Sequence, residues 1–382
     1  MISFVRVKGF KSFKDNCVEP RLLNILAGLN GSGKSSFMQS LLLVGSIGAD
    51  IQSVRPQVRL NTEILTLGTQ KDVFYNYRSS NSDIISIEIK RGGAEEGLCF
   101  KFKFTDDNDD FLDSDIVTSS GADPQQMQRL AFGGEIVHMK YICADRAAAV
   151  QEYPFSRERI RTRQWGTEGE NAIAYLAENG SRKFVASNLV LEGSSDPSLL
   201  GQVNAWMSVF APGIFVNAEK IEAMNRSMLS FGFMRGVGQA KFKPQNVGFG
   251  ISYVLPLIVA LLSAEDNDIL LIENPEAHLH PRGQAELGKL IARVASRGTQ
   301  IFVETHSDHI INGIRVSVKK KEIAREDTLI SFFSREKGET SEGAPEECSR
   351  IVPIKIDENG ELSDYPHNFM DEWTNQLASL FE

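Results

Sequence analysis

The sequence predicts an α/β fold with a mostly parallel core sheet, a β-rich N-terminal lobe and a mainly helical insert. Three observations predict it. A buried strand leads into a glycine-rich loop and then a helix over residues 24–43. Two more apolar strands, at 268–273 and 299–304, flank a helix at 284–297 and end in polar residues. Residues 82–105 contain two stretches of strict apolar and polar alternation, as in strands with one wet face.

Length and composition indicate a globular chain with room for two lobes. It has 382 residues, of which 42% are hydrophobic and 24% charged. The net charge of −9 argues against nucleic acid coating the whole surface, although a local basic patch is still allowed. The four cysteines show no CxxC spacing, which argues against a zinc site or a disulfide framework. Because no signal peptide or long apolar run is evident, we expect a cytoplasmic protein without a membrane contact.

The glycine-rich loop is the most specific motif. Residues 28–35, GLNGSGKS, have the complete GxxxxGK[ST] spacing of a phosphate loop. Its glycines let successive N–H groups point inward, Lys34 is expected to reach the β- and γ-phosphates, and the Ser35 hydroxyl is expected to bind magnesium. The helix that follows adds its N-terminal N–H groups. The predicted phosphate-binding residues are Asn30, Gly31, Ser32, Gly33, Lys34, Ser35 and Ser36.

Two carboxylates and a histidine follow the apolar strands of the C-terminal part. Glu273 ends the strand that begins at Asp268, which is typical of a Walker B motif, and we expect its carboxylate to hold magnesium through the water shell. Glu304 and His306 come at the end of the next strand, where parallel sheets place their ligands. We expect His306 to sense the γ-phosphate.

Two further stretches are weaker candidates. Gly248 and Gly250 precede Ser252, which opens an apolar helix and predicts an anion site at its start; an ordinary capped helix is the alternative. Lys11 and Ser12, in the loop before the phosphate strand, either touch the nucleotide or form a solvated turn.

Four arginines recur at every second position of residues 157–163, so an extended chain would project them to one side, near Trp165. This is the best local candidate for nucleic-acid contact. The alternative is a solvated face paired with nearby glutamates: Glu158, Glu168 and Glu170. For His278 and His280, surface or dimer-contact roles are favoured over zinc, because no further ligand clusters with them.

The order of these motifs resembles the ABC-type ATPase heads of the OLD, RecF and SMC families. GLNGSGKSS looks like Walker A, NVGFGIS like a degenerate signature loop, ILLIENPEAHLH like Walker B, and ETHS like the switch-histidine strand. The segments ENPEAHLHP and ETHSDH are most similar to OLD-like ATPases of bacterial two-gene anti-phage systems. Their partner is an HNH nuclease, as in Septu, or a TOPRIM-like protein.

The resemblance implies a P-loop ABC-type ATPase head that uses ATP and Mg²⁺. Residues 1–150 would form the N-terminal ATPase lobe, 151–240 the mainly helical insert and 241–382 the C-terminal lobe. Two chains would meet head to tail, so that Ser252 and its glycines contact the γ-phosphate held by the other subunit. The same analogy places Lys11 and Ser12 near the nucleotide and leaves two candidates for the Q-loop: Gln57 and Gln70.

Two departures from the family pattern matter. Asn274 stands where most such heads carry a catalytic glutamate, and an amide orients water but does not accept its proton. Either Glu276 or Glu304 then acts as the base, with Glu304 favoured because it ends the neighbouring strand, or ATP serves mainly as a clamp. The stretch after His309 is also too short for the C-terminal TOPRIM domain of OLD nucleases, so any nuclease is expected to act in trans.

Three functional hypotheses follow. The leading one is an ATPase that dimerises on nucleotide and controls a separate effector, expected to be a nuclease in phage defence. The second is a scaffold that binds ATP but hardly hydrolyses it. The third is a RecF-like head of DNA repair.

Overall fold

The computed structural model describes residues 1–47, 57–77, 84–93, 97–118, 139–147, 150–234, 239–340 and 343–381. Its internal contacts divide the chain into two compact units. The first comprises Met1–Met139, Arg325–Asp357 and Glu361–Glu382, and the second comprises Lys140–Ala324 and Glu358–Gly360. The first unit therefore unites the N-terminal stretch with the C-terminal stretch, whereas the sequence places these in two separate predicted lobes.

The β-rich part of the first unit is an antiparallel sheet in the order β2-β1-β5-β6-β7-β4. The alternation of apolar and polar residues at 84–91 matches the two faces of the sheet: Ile85, Ile87 and Ile89 are buried on one face, and their neighbours are more exposed. The strands are β1 (Ile2–Phe10), β2 (Phe13–Val18), β4 (Gln57–Arg59), β5 (Ile84–Arg91), β6 (Leu98–Lys103) and β7 (Phe111–Thr118).

The second layer of this unit carries the phosphate loop. Strand β3 (Leu23–Gly28) runs parallel to β15 (Thr328–Glu339), which pairs antiparallel with β16 (Pro345–Ile354). Helix α1 (Lys34–Ile47) packs Phe37 against Phe13 and Phe333, with ring centroids 6.5 Å and 5.9 Å away. Among the described residues of the unit, the other helices are α2 (Gln70–Val73) and α9 (Glu372–Ser379).

The second unit contains the predicted parallel strands. Strands β13 (Ile269–Glu273) and β14 (Gln300–Glu304) pair in parallel, and β8 (Met139–Ile142) lies next to β13. Both parallel strands are continuous apolar runs because helices cover buried parallel sheets on their faces. The helices around them are α6 (Phe249–Leu262), α7 (Pro281–Ala295) and α8 (Asp308–Lys319).

Residues 151–240 contain more strand than the mainly helical insert predicted from sequence. Helices occur there at 172–179 and 199–210, but the strands at 214–221, 226–234 and 239–242 pair as an antiparallel meander. Asn225 makes the tight turn between its first two strands with a φ of 50°. The elements are β9 (Glu152–Pro154), α3 (Arg157–Arg161), α4 (Ala172–Asn179), α5 (Leu199–Phe210), β10 (Ile214–Ile221), β11 (Arg226–Met234) and β12 (Gln239–Phe242).

The predicted extended arrangement of the arginine run is wrong. Ser156 caps a short helix by accepting from the Arg159 N–H, so the first three arginines lie on α3 and not on one side of a strand. Arg163 turns inward to Asp268 at 2.6 Å, and Trp165 is buried against the Tyr175 ring. Arg159 also pairs with Glu170 at 3.6 Å, as the solvated-face alternative expects.

The predicted α/β class with parallel core strands and a β-rich N-terminal lobe is confirmed. Among the described residues, no helix combines the length and the apolar character needed to cross a membrane.

Candidate functional site

The phosphate loop in the first unit is shaped by backbone that only glycine tolerates. Gly28 has a φ of 137°, and a Cβ there would lie 2.2 Å from the Phe333 carbonyl oxygen. Gly33 has a φ of 112°, and its Cβ would lie 2.6 Å from the Ser349 hydroxyl. The turn between strand β3 and helix α1 therefore requires glycine for both conformation and space.

Lys34 begins helix α1 and is buried, with only 3% of its surface exposed. Its ammonium donates to the carbonyl oxygens of Gly28 and Leu29, each at 2.9 Å. The Ser32 hydroxyl donates to the same Leu29 carbonyl at 2.7 Å and so closes the loop, while Ser35 is exposed in the first helical turn. The loop thus holds the Lys34 ammonium beside its own backbone, and the exposed Ser35 lies at the start of the helix.

Strands β15 and β16 brace this loop through residues that the sequence analysis did not find. The Ser349 hydroxyl donates to the Ser32 carbonyl at 2.6 Å, and it lies 2.7 Å from the Ser12 hydroxyl, which then acts as the donor to Ser349. Arg335 donates to the Gly31 carbonyl at 2.8 Å. No spacing in the sequence indicates these contacts, because 300 or more positions separate the partners.

Three weaker candidates of this unit, Lys11, Gln57 and Gln70, form hydrogen bonds to other residues of the chain. The Lys11 ammonium donates to the Gln39 side chain on α1 at 2.6 Å, and burial lowers the pKa of Lys11. Gln70 is fully buried and bonds Thr105 and the Phe111 carbonyl, whereas Gln57 bonds Asp113 at the surface. Their predicted roles toward nucleotide stay predictions.

In the second unit, Glu273 and Glu304 end the two parallel strands in direct register. Glu273 accepts from the Ala144 N–H at 3.2 Å, and Glu304 is only 5% exposed. Burial and the neighbouring Glu273, which accepts its hydrogen bond, raise the pKa of the Tyr141 phenol on β8, so this hydroxyl keeps its proton and donates. The two carboxylates and Tyr141 form what we call the acidic cluster.

Arg146 holds the backbone of this cluster. It is 6% exposed, donates to the Glu273 carbonyl at 2.8 Å, and lies over the Tyr253 ring at 4.7 Å. The Tyr253 hydroxyl in turn donates to the Ala144 carbonyl. No role for Tyr141, Arg146 or Tyr253 is predicted from the sequence; the position of Arg146 just after a strand is the one available indication.

The two candidate bases differ in their surroundings. Both carboxylate oxygens of Glu276 are engaged, one by the Thr305 hydroxyl and one by the His306 N–H, each at 2.8 Å. Glu276 therefore anchors the loop that leads from β14 to α8. The Asn274 N–H donates to the Glu304 carbonyl at 2.9 Å, and its buried Oδ1 has no hydrogen-bond partner within the described part of the chain. The His306 side chain is exposed.

The signature-like loop differs from its prediction. Helix α6 begins at Phe249, so Ser252 lies inside its first turn, 6% exposed, and not at an open helix start. A Cβ on Gly250 would lie 2.3 Å from the His278 carbonyl oxygen. His278 packs against Phe249, and His280 caps α7. In the regions that the structure describes, no group of three His, Cys, Asp or Glu side chains is arranged to hold a metal ion.

A buried ion cluster fixes the start of β13. Asp268 accepts from the Lys140 ammonium and from Arg163, both at 2.6 Å, and from the Glu265 N–H at 2.9 Å. Desolvation outweighs the attraction of Asp268 and lowers the pKa of Lys140 to about 8. The strand that ends in Glu273 is thus anchored by charge at its opposite end.

Comparison with protein families gives two partial matches. Residues 150–312 match the family described as "AAA domain, putative AbiEii toxin, Type IV TA system". Residues 323–380 match the family described as "Protein of unknown function (DUF3696)". A comparison with curated proteins gives no match.

Solved structures are similar over nearly the whole chain. An SmcHead bound to the C-winged helix domain of ScpA aligns with a TM-score of 0.50 and 13% identity, covering 92% of this chain and 98% of that one. The SMC head domain from Thermotoga maritima gives 0.47 and 14%, with 93% and 99% covered. The Pyrococcus furiosus Smc head with an extended coiled coil, bound to the C-terminal domain of ScpA, gives 0.48 and 12%, with 100% and 99% covered. The chain has an α/β fold like that of an SMC head, and residues 150–312 match an AAA domain family.

Proposed function

We propose that this chain binds ATP with Mg²⁺ at the phosphate loop and hydrolyses it as an ABC-type ATPase. The observation that carries the proposal is the loop itself. Gly28 and Gly33 adopt backbone that only glycine allows, and Lys34 is buried beside the loop carbonyls at the start of α1. Such a loop offers N–H groups, a cation and a helix N-terminus to a polyphosphate.

Five of the predicted residues receive a direct role toward the phosphates, the metal or the attacking water. Lys34 neutralises charge on the β- and γ-phosphates, and His306 senses the γ-phosphate. The Ser35 hydroxyl would supply an oxygen ligand, which suits Mg²⁺, and the Glu273 carboxylate would hold the metal through its water shell. The metal, when bound, would offset negative charge on the phosphate oxygens. Asn274 orients the attacking water.

Glu304 is proposed as the general base. A base must be able to accept a proton from water, and Glu276 already accepts a hydrogen bond at each of its two oxygens. Glu304 ends the strand beside Glu273, directly in register with it, and is buried there. The assignment separates a catalytic carboxylate from one that shapes the following loop.

ATP titration by calorimetry tests nucleotide binding. Lys34→Ala is expected to weaken ATP binding by about 10- to 100-fold, since a charge-assisted contact contributes about 1.5–3 kcal/mol. Lys8→Ala, which removes an exposed lysine of β1, is the matched control and should bind like the wild type. Equal ATP affinity in the Lys34 and Lys8 variants would contradict the proposal.

A hydrolysis-poor scaffold is the second candidate, and Asn274 favours it. Its amide stands where a carboxylate would accept the proton, and its buried Oδ1 finds no partner among the described groups. Phosphate release at saturating ATP distinguishes the two candidates. Turnover no faster than that of Lys34→Ala would favour the scaffold over the ATPase.

We further propose that ATP drives head-to-tail dimerisation and that the dimer controls a separate nuclease, HNH or TOPRIM-like, in anti-phage defence. The motif resemblance and the toxin–antitoxin wording of the AAA family support this role. Phage plating on cells that carry this gene with its neighbouring gene tests it. Protection that survives either Lys34→Ala or deletion of the neighbouring gene would contradict this role. If deletion of this gene instead lowers survival after DNA damage, the RecF-like alternative is favoured.

A further inference from the structure

A pocket of about 240 Å³ opens in the second unit, beside the C-terminal end of α6. Its walls come from α4, from the segment 183–186 and from residues 262–265, together with Leu199 and Arg297. The volume is below the lower end of about 300 Å³ for drug-sized ligand sites, so an occupant would be small. None of the residues given a role in ATP binding or hydrolysis lines this pocket.

Two residues that line the pocket, Tyr175 and Ser263, have buried hydroxyls with no hydrogen-bond partner in the part of the chain that the structure describes. Tyr175 is 1% exposed and Ser263 is 8% exposed. Burying an unpaired hydroxyl costs free energy, so proteins rarely retain such groups without a use. A ligand that hydrogen-bonds both would remove this cost.

The charges at the pocket favour an anion. Lys183 and Arg297 line it. Lys183 makes a loose ion pair with Glu265 at 3.7 Å and lies 5.4 Å from the Tyr175 ring centroid, and Arg297 makes a loose pair with Asp266 at 3.5 Å. Glu265, the acid of the lining, is already held by Arg163 at 2.9 Å. The two lining cations thus keep donors for a further negative group.

The rest of the lining is apolar. Phe184 is 70% exposed at the pocket, and five aliphatic side chains complete the walls: Val185, Ala186, Leu199, Leu262 and Ala264. An apolar group that covers the exposed Phe184 ring would stabilise a complex, because it removes apolar surface from water. The occupant therefore combines an apolar body with its negative group.

We propose that this pocket binds a small organic anion, with a phosphate or carboxylate held by Lys183 and Arg297 and an apolar body against Phe184. The Tyr175 and Ser263 hydroxyls hydrogen-bond the ligand. Because Arg163 joins Glu265 of the pocket wall to Asp268 at the start of β13, a bound ligand contacts the same framework that carries Glu273 at the strand's other end. The proposal does not depend on ATP hydrolysis.

Calorimetric titration of the full chain with phenyl phosphate tests the site, and benzoate provides the carboxylate arm. The titrations use a Lys34→Ala background, so that the phosphate loop does not contribute. We expect saturable binding of at least one of these anions and at least 10-fold weaker binding of neutral benzyl alcohol. Arg297→Gln should weaken anion binding about 10-fold, and Ser263→Ala and Tyr175→Phe about 5-fold each. Arg182→Gln, an exposed arginine outside the lining, should change nothing.

Stability distinguishes a ligand hydroxyl from a structural one. Ser263→Ala should raise the melting temperature of the ligand-free chain, because it removes a buried unpaired group. Ser227→Ala removes a comparable buried hydroxyl away from the pocket, so it should raise the melting temperature while leaving anion binding unchanged. The proposal is overturned if neither anion binds saturably, if benzyl alcohol binds as well as the anions, or if Ser263→Ala and Tyr175→Phe bind like the parent.

Discussion

The phosphate loop and the acidic cluster are built in different ways. The loop uses the backbone of one continuous stretch, Gly28 to Lys34, in which glycine conformations and local carbonyl contacts set the shape. The acidic cluster uses side chains of separate strands, with Tyr141 and Glu273 on β8 and β13 and Glu304 on β14. A site made of consecutive backbone is encoded by spacing, whereas a site made of distant side chains is encoded by strand register.

The largest expected effect distinguishes Glu304, in the acidic cluster, from the other candidate base, Glu276. Glu304→Gln should lower ATP turnover by about 10²–10⁴-fold, the usual contribution of general base catalysis, and leave ATP affinity within about 3-fold of the wild type. Steady-state phosphate release and ATP titration measure both quantities.

Glu276→Gln is the matched control for this change. It should reduce the stability of the β14–α8 loop, where Glu276 accepts hydrogen bonds from Thr305 and His306. Its ATP turnover should stay higher than that of Glu304→Gln. If Glu276→Gln abolishes turnover in a folded protein while Glu304→Gln leaves it intact, the assignment of the base is wrong.

The backbone character of the phosphate loop predicts the next effect. Gly28→Ala should reduce the free energy of unfolding by about 3 kcal/mol, because the new Cβ would lie 2.2 Å from the Phe333 carbonyl oxygen at a positive φ. Gly31→Ala should cost only about 1 kcal/mol, since its φ is 71° but no atom lies within 4 Å of the added Cβ. Urea denaturation of both variants measures the difference, and equal losses would contradict a loop shaped by close approach.

The buried anchor of β13 predicts a smaller, pH-dependent effect. Lys140 has a folded pKa of about 8, against 10.5 ordinarily, with Asp268, Arg163 and Glu265 as charged neighbours. Between these values the unfolded chain keeps the Lys140 proton and the folded chain has lost it, so the unfolded state binds more protons and the contribution of Lys140 to stability rises with pH.

The Lys140→Met variant removes this titration and provides the reference. The unfolding free energy of the wild type minus that of Lys140→Met should rise by on the order of 1–3 kcal/mol from pH 7.5 to 10. Urea denaturation at several pH values measures the difference. A difference independent of pH would show that Lys140 remains charged in the folded chain.

The sequence alone determined the parts of this protein that local chemistry specifies. The spacing of GLNGSGKS predicted a strand, a loop and a helix, and β3 and α1 flank that loop as expected. The apolar runs before Glu273 and Glu304 predicted two parallel strands whose carboxyl ends meet, and the register of β13 and β14 agrees. Side-chain period and glycine placement act within a few residues, so one chain suffices to find them.

Only the tertiary structure decided which distant side chains complete these elements. Ser349 and Arg335 support the loop from strands more than 300 positions away, and Arg146 reaches the backbone of Glu273. The arginine run misled the prediction because a Ser156 cap favours a helix and Asp268 draws Arg163 inward. Ser252 is 6% exposed within the first turn of α6, and helical spacing alone does not determine which residues of that turn are buried.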